Sequence, residues 1–169
     1  SVNHERIEPG SPVPFQPSFR PLSMILQIYD GDIERTRAYY KAQGQLVSAR
    51  EDELFTQRAN CCWRWIEKYA PEEFCYRIRT EPVKRELEGE VRTAVERLVQ
   101  ALRDNPDMDE TSMVPHAKGL MEGLEMGRAE LFPHIYDLLI ARPKGPKLTT
   151  LIGTMGASRD LPLLEASLH

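Results

Sequence analysis

"PVKRELEGEVRTAVERLVQALR", Pro82 to Arg103, is the stretch that decides the fold class. Val83, Leu87, Val91, Ala94, Val95, Leu98, Val99 and Leu102 recur at steps of three and four, which places them on one face of a helix. A half-buried strand would alternate every second residue instead. Thr80 fits as the cap and Pro82 as part of the first turn. Between the apolar positions stand Lys84, Arg85, Arg92, Arg97 and Arg103 with Glu86, Glu88, Glu90 and Glu96. Mixed charge of this kind is a solvated face with some i,i+4 pairs, structural in its role.

The same period continues on both sides. Leu22, Ile25, Leu26 and Tyr29 mark a helix behind Ser18 and Pro21, and "DGD", Asp30 to Asp32, breaks it. Asp32 can cap a second helix that ends at Gly44. Ser48 and Glu51 have capping-box spacing and open a long third helix through Leu54, Phe55, Cys62, Ile66 and Tyr69, ended near Pro71. "FCYRIR", Phe74 to Arg79, alternates apolar and basic residues and reads as a short extended piece. Beyond the polar "RDNPDMDE", helices are predicted over about 112–122, 128–140 and 148–155, with a short run after Asp160. The predicted fold is all-α, about seven helices, in two helical subdomains, 18–103 and 104–169. Residues 1–17 contain Pro9, Gly10, Ser11, Pro12, Pro14 and Pro17 and read as a linker or arm.

Composition narrows the function. A 169-residue chain with 41% hydrophobic and 28% charged residues is globular rather than disordered. Its net charge of −4 argues against nucleic-acid binding through overall basicity, so a polyanion needs a local basic patch. No apolar run reaches the roughly 18 residues of a membrane span, and an odd cysteine count (Cys61, Cys62, Cys75) suits a reducing compartment; a cytoplasmic protein is expected. The cysteines and histidines lack zinc-site spacing, so no metal is expected. His134 and Asp137 stand at i,i+3 and can touch, without a nucleophile to serve. "ARPKGPKLTT", Ala141 to Thr150, is basic but does not match a phosphate-binding loop.

Two features remain. In "RANCCWRWIEKYAPEEF", Arg58 to Phe74, Trp63 and Tyr69 can join the apolar face while Trp65 falls on another side. In "IYDLLIARPKGPKLTTLIGTMG", Ile135 to Gly156, a bend with Arg142, Lys144 and Lys147 around Pro143 and Pro146 separates two apolar runs. Residues 128–159 carry five cations against two carboxylates, a net +3 in a chain whose total is −4. A positive end on an acidic body suits contact with a polyanion; a solvated turn is the plain alternative, and a stand-alone helical adaptor for protein partners is the rival function.

These two features also carry a resemblance. "ANCCWRWIEKYAPEEFCYRI" resembles the A-x-x-W-x-x-x-Y-A-P-E segment of class I lysyl-tRNA synthetases. "ELFPHIYDLLIARPKGPKLTTLIGTMG" resembles their F-F-x-x-I-Y-x-x-L-L-G-x-x-x-G-P-R-L-G-x-F-I-x-x-L-G segment, and "VPFQPSFRPLSMILQIY" the start of the same region. The matches run with gaps from about Val13 to Gly156. The resemblance implies an α-helical cage that binds the anticodon of tRNA-Lys, attached to an N-terminal catalytic Rossmann domain that uses ATP. That domain's HIGH-like and KMSKS-like motifs do not occur in these 169 residues. This chain is therefore expected to lack the active site and to hold no cofactor of its own, and neither membrane nor DNA is an expected partner. By motif, Gly145, Pro146 and Leu148 would touch anticodon bases, with Tyr136 facing the same place to stack or donate. Arg142, Lys144 and Lys147 would neutralise adjoining phosphates, and Arg64 and Trp65 would offer a secondary RNA contact. Ala141, Lys147 and Thr149 depart from the pattern, which has glycine, arginine and glycine there.

Overall fold

In a computed structural model of the chain, residues 14–169 are described. Pro9, Gly10, Ser11 and Pro12 of the predicted linker, and Val13 where the resemblance begins, lie outside the described residues. The fold is all-helical, with eight α-helices and no strand among the described residues. Contacts divide the chain into two compact units, one ending at Tyr69 and one running from Ala70 to His169.

The first unit contains α1 (Phe19–Ile28), α2 (Ile33–Ala42) and α3 (Ala49–Lys68). Ser18, a predicted cap, stands at the N-terminus of α1 without a side-chain capping bond, whereas the other two predicted caps of this unit make theirs. Asp32 accepts from the Arg35 amide, and Ser48 Oγ accepts from the Glu51 amide. The reciprocal half of the box is replaced: Glu51 Oε2 accepts from the amide of Phe15 at 2.7 Å. Arg58 Nε in turn donates to the Pro17 carbonyl, also at 2.7 Å. The last residues of the predicted linker are thus fastened to α3.

Leu22, Ile25 and Leu26 of α1 are buried, as are Phe55, Ala59 and Cys62 of α3. The turn at Gly31 is specified twice. Its φ of +84° suits glycine, and a Cβ there would lie 2.4 Å from the Trp63 ring. Trp65 meets Phe19 edge-on at 5.3 Å. Tyr69 departs from expectation: it lies one residue past α3, with φ −127°, and is 75% exposed rather than on the apolar face.

The second unit begins with a 3-10 turn at Glu72–Phe74 and an extended segment. It then forms α4 (Gly89–Asp104), α5 (Glu110–Gly119), α6 (Arg128–Ile140), α7 (Leu148–Met155) and α8 (Ala157–Glu165). Helix α4 starts seven residues later than its stripe predicts. The Ser167 hydroxyl accepts from the Arg85 amide and donates to the Val83 carbonyl, which holds this stretch extended. Gly89, at φ +55°, then turns the chain into the helix. The predicted boundary near residue 104 is also displaced. The buried face of α4 packs against α5, α6 and α8, so α4 belongs with the helices that follow it.

The charges of α4 have structural partners. Arg97 donates to the carbonyls of Gly119, Leu120 and Glu122, satisfying acceptors at the end of α5. Arg103 pairs with Glu165 at 2.8 Å, and Arg92 with Glu96 at 2.8 Å.

Asp160 of α8 is 0% exposed, and neither carboxylate oxygen has a hydrogen-bond partner among the described residues. Desolvation pushes its carboxyl well above the ordinary carboxylate range, with Arg159 opposing weakly. An acid whose folded pKa is raised holds its proton more tightly when folded. Stability therefore falls as pH rises from about 4, the unfolded value, toward the folded one. Asp160→Asn removes the ionisation and keeps the shape. It should abolish that decline and leave the protein more stable than the parent at pH 7. Urea unfolding at pH 4.5 and 7.5 checks this; equal pH slopes in parent and variant refute it.

Candidate RNA-binding bend

The bend is built on the end of α6. Leu131, Ile135, Tyr136, Leu138, Leu139 and Ile140 are buried, and the helix stops where Ala141 adopts left-handed backbone, φ 58° and ψ 28°. For a residue with a Cβ that conformation costs roughly 1–2 kcal/mol, which glycine avoids. Arg79 secures the same helix end. Its amide donates to the Leu139 carbonyl and its Nε to the Asp137 carbonyl, each at 2.8 Å. The Asp137 carboxylate receives Arg79 at 3.2 Å and Arg85 at 3.0 Å. A cation here complements the helix dipole as well as the carbonyls. His134, which its spacing allows to touch Asp137, is exposed, and the Asp137 carboxylate is engaged by these two arginines.

Within the bend, the candidate residues divide into two groups. Lys144, Gly145 and Lys147 are exposed and Arg142 is half-exposed. Tyr136 is only 9% exposed, and its hydroxyl donates to the Pro146 carbonyl at 2.6 Å. A methyl group at Gly145 would lie 2.6 Å from Ile140 Cδ1 and 3.5 Å from two Tyr136 ring carbons. The ring is therefore covered by the loop that it ties down. Burial pushes the Tyr136 phenol up to about 12, Arg128 opposing, so the hydroxyl remains a donor at any working pH.

Of the two roles expected of Tyr136, to stack or to donate, the covered ring leaves no stacking face and the hydroxyl donates to the loop itself, which makes it a strut. Pro146 is buried as well, and Leu148 is 3% exposed in the core of the second unit rather than beneath a base. Of the secondary pair, Arg64 is exposed but Trp65 is half-buried against Phe19, and both lie in the first unit. Sequence reasoning did not identify Arg79 and Asp137 as supports. Their signal, an arginine in the alternating "FCYRIR" and an acid on α6, becomes meaningful only when the two segments meet. Among the described residues, no group of three histidine, cysteine or acidic side chains converges as a metal site.

Comparison with known proteins gives this bend its context. No protein-family model matches the chain. The lysine–tRNA ligase of Borreliella burgdorferi is 30% identical over 153 residues, spanning 89% of this chain and 29% of that protein. That of Treponema pallidum is 27% identical over 149 residues, 87% of this chain and 28% of the relative. The chain resembles a segment of the lysine–tRNA ligases. The ligase of Methanopyrus kandleri, 28% identical over 150 residues, extends the likeness to 84% of this chain and 26% of its own length. The chain therefore spans less than a third of each ligase. No helix among the described residues is long and apolar enough to cross a membrane.

Proposed function

We propose that the chain is the anticodon-binding region of a class I lysine–tRNA ligase, with the α6–α7 bend meeting the anticodon loop of tRNA-Lys. ATP-dependent joining of lysine to the tRNA would belong to another part of the whole cytoplasmic enzyme, and these residues would hold no cofactor. The observation that carries the reading is the braced basic bend. Tyr136 and Pro146 fix the backbone from inside, Gly145 lets it pass close over Ile140 and the Tyr136 ring, and Lys144 and Lys147 stand outside on an otherwise acidic chain.

A rigid loop of this kind holds cations at set positions, where a nucleic-acid backbone can be neutralised without first ordering the protein. The exposed peptide groups around Gly145 add donors and acceptors at a place where a base edge can approach. Full-length relatives bearing the lysine–tRNA ligase name over this segment support tRNA as the partner.

Binding of the 169-residue chain to a lysine anticodon stem-loop and to a scrambled loop, across a salt series, tests this. The lysine loop should bind more tightly. Lys144→Ala should weaken both RNAs alike and reduce the log–log salt slope by about 0.7. Equal affinity for the two loops would refute base reading by this region.

A further inference from the structure

With its ring covered, Tyr136 offers no surface to a base, but the residues one and two turns before it do. Arg128, Phe132 and Tyr136 follow one another at steps of four and form one ridge along α6. The far end of the ridge carries the bend, because the Tyr136 hydroxyl is tied to the Pro146 carbonyl. At the near end Arg128 is exposed and Phe132 half-buried. The Arg128 guanidinium lies over the Phe132 ring, its central carbon 5.3 Å from the ring centroid. Its charge also opposes the rise of the Tyr136 phenol, so it is felt at the bend. Arg128 makes no ion pair among the described residues. Glu130 stands two positions on, a spacing at which helical side chains do not face each other. Glu90, which reaches the chain just before α6, is taken up by the Glu125 and Met126 amides. Arg37, over the Phe55 ring, is by contrast bound to Glu34 and Asp52. The placement of Arg128 does little for α6 itself. A cation in the first turn is opposed by the helix dipole, an effect of the same order as the gain from an exposed cation–ring contact. A guanidinium held by a ring rather than by a carboxylate keeps its charge and leaves its outer face to solvent.

We infer that the Arg128–Phe132 pair is a base-stacking platform, on which one unpaired base of an RNA loop lies against the guanidinium while Lys144 and Lys147 meet neighbouring phosphates. The inference rests on the RNA-binding role proposed for the bend and supplies the stacking surface that Tyr136 does not. Arginine planes and aromatic rings both serve as platforms for splayed bases. Every base has a π-face, so such a platform adds affinity with little sequence preference and leaves selection to the peptide groups around Gly145.

A charge-conserving substitution separates stacking from simple charge. Arg128→Lys keeps the cation and loses the plane. It should weaken binding of the lysine anticodon stem-loop at least about fivefold, nearly as much as Arg128→Ala, while retaining the salt slope and the urea stability of the parent. Phe132→Leu, which takes the backing ring from the guanidinium, should act in the same direction. The second readout is a cycle with the same stem-loop made abasic at each loop position in turn. At the position that stacks, removing the base should weaken the parent about fivefold and leave Arg128→Ala unaffected. If Arg128→Lys binds like the parent, if its lost affinity comes with lost stability, or if every abasic effect persists in Arg128→Ala, the platform is overturned and the bend stands. If the parent chain binds neither the lysine nor the scrambled stem-loop, the reading of the bend falls as well.

Discussion

Gly153→Ala should destabilise the protein by about 2–3 kcal/mol, although alanine is the better helix former. Gly153 lies in the second half of α7, where the helix crosses the start of α5. A Cβ at this position would stand 2.4 Å from the Glu110 amide nitrogen, 2.7 Å from the Asp109 carbonyl carbon and 2.7 Å from Glu110 Cα. All three are backbone atoms, so no side chain can swing away to make room. They belong, moreover, to a turn already fixed by a capping box. Asp109 accepts from the Ser112 amide at 2.8 Å, and Ser112 Oγ accepts from the Asp109 amide at 2.9 Å. One turn earlier on α7, Thr150 donates to Glu110 Oε1 at 3.2 Å and sets the same alignment.

Accommodating the methyl group therefore means separating α7 from α5, the most extensive helix pairing among the described residues. The melting midpoint should drop by on the order of 10 °C. Gly119→Ala is the matched control. That glycine is also helical, has no unusual φ, and nothing lies within 4 Å of an added Cβ. It should be neutral or slightly stabilising. A Gly153→Ala protein as stable as Gly119→Ala would show that α7 slides on α5 at little cost.

The reach of sequence reasoning follows from what periodicity encodes. Helices with one polar face, α3 and α4 above all, were legible because their apolar residues fall on a single stripe that is then buried. Asp32 and Ser48 marked helix starts because capping is chemistry local to four residues. The stretch from Pro82 to Glu88 misled because Val83 and Leu87 keep helical spacing. Its conformation is decided by Ser167, more than eighty residues away, which no local pattern reveals. Helix α6 posed a different difficulty. Glu130, His134 and Asp137 mark its polar face, but Tyr136, Leu138, Leu139 and Ile140 are all buried around its last turn, so the pattern does not tell which of them meets the core and which meets the bend. The cations of the bend, by contrast, were readable as exposed because lysines bordering prolines and glycine have little to bury them. The bend itself was legible as a site; the direction of its tyrosine was not.

That direction makes Tyr136→Phe the decisive substitution at the bend. Phenylalanine retains the ring, its apolar bulk and its π face, and removes only the hydroxyl. If Tyr136 stacked on a base, the variant would bind RNA much as the parent does. As a strut, it loses the buried 2.6 Å bond to the Pro146 carbonyl. Leaving a buried carbonyl unsatisfied costs about 1–3 kcal/mol, which should appear as lost stability in urea unfolding. The same loss frees the segment carrying Lys144 and Lys147, which must then be ordered when RNA arrives. Affinity for the lysine anticodon stem-loop should fall about fivefold, and preference over the scrambled loop should shrink with it. Because the phenol is raised to about 12, the parent's advantage should be the same at pH 6 and pH 9. Undiminished affinity together with undiminished stability would return Tyr136 to the surface as a base-stacking residue and remove the internal brace from the bend.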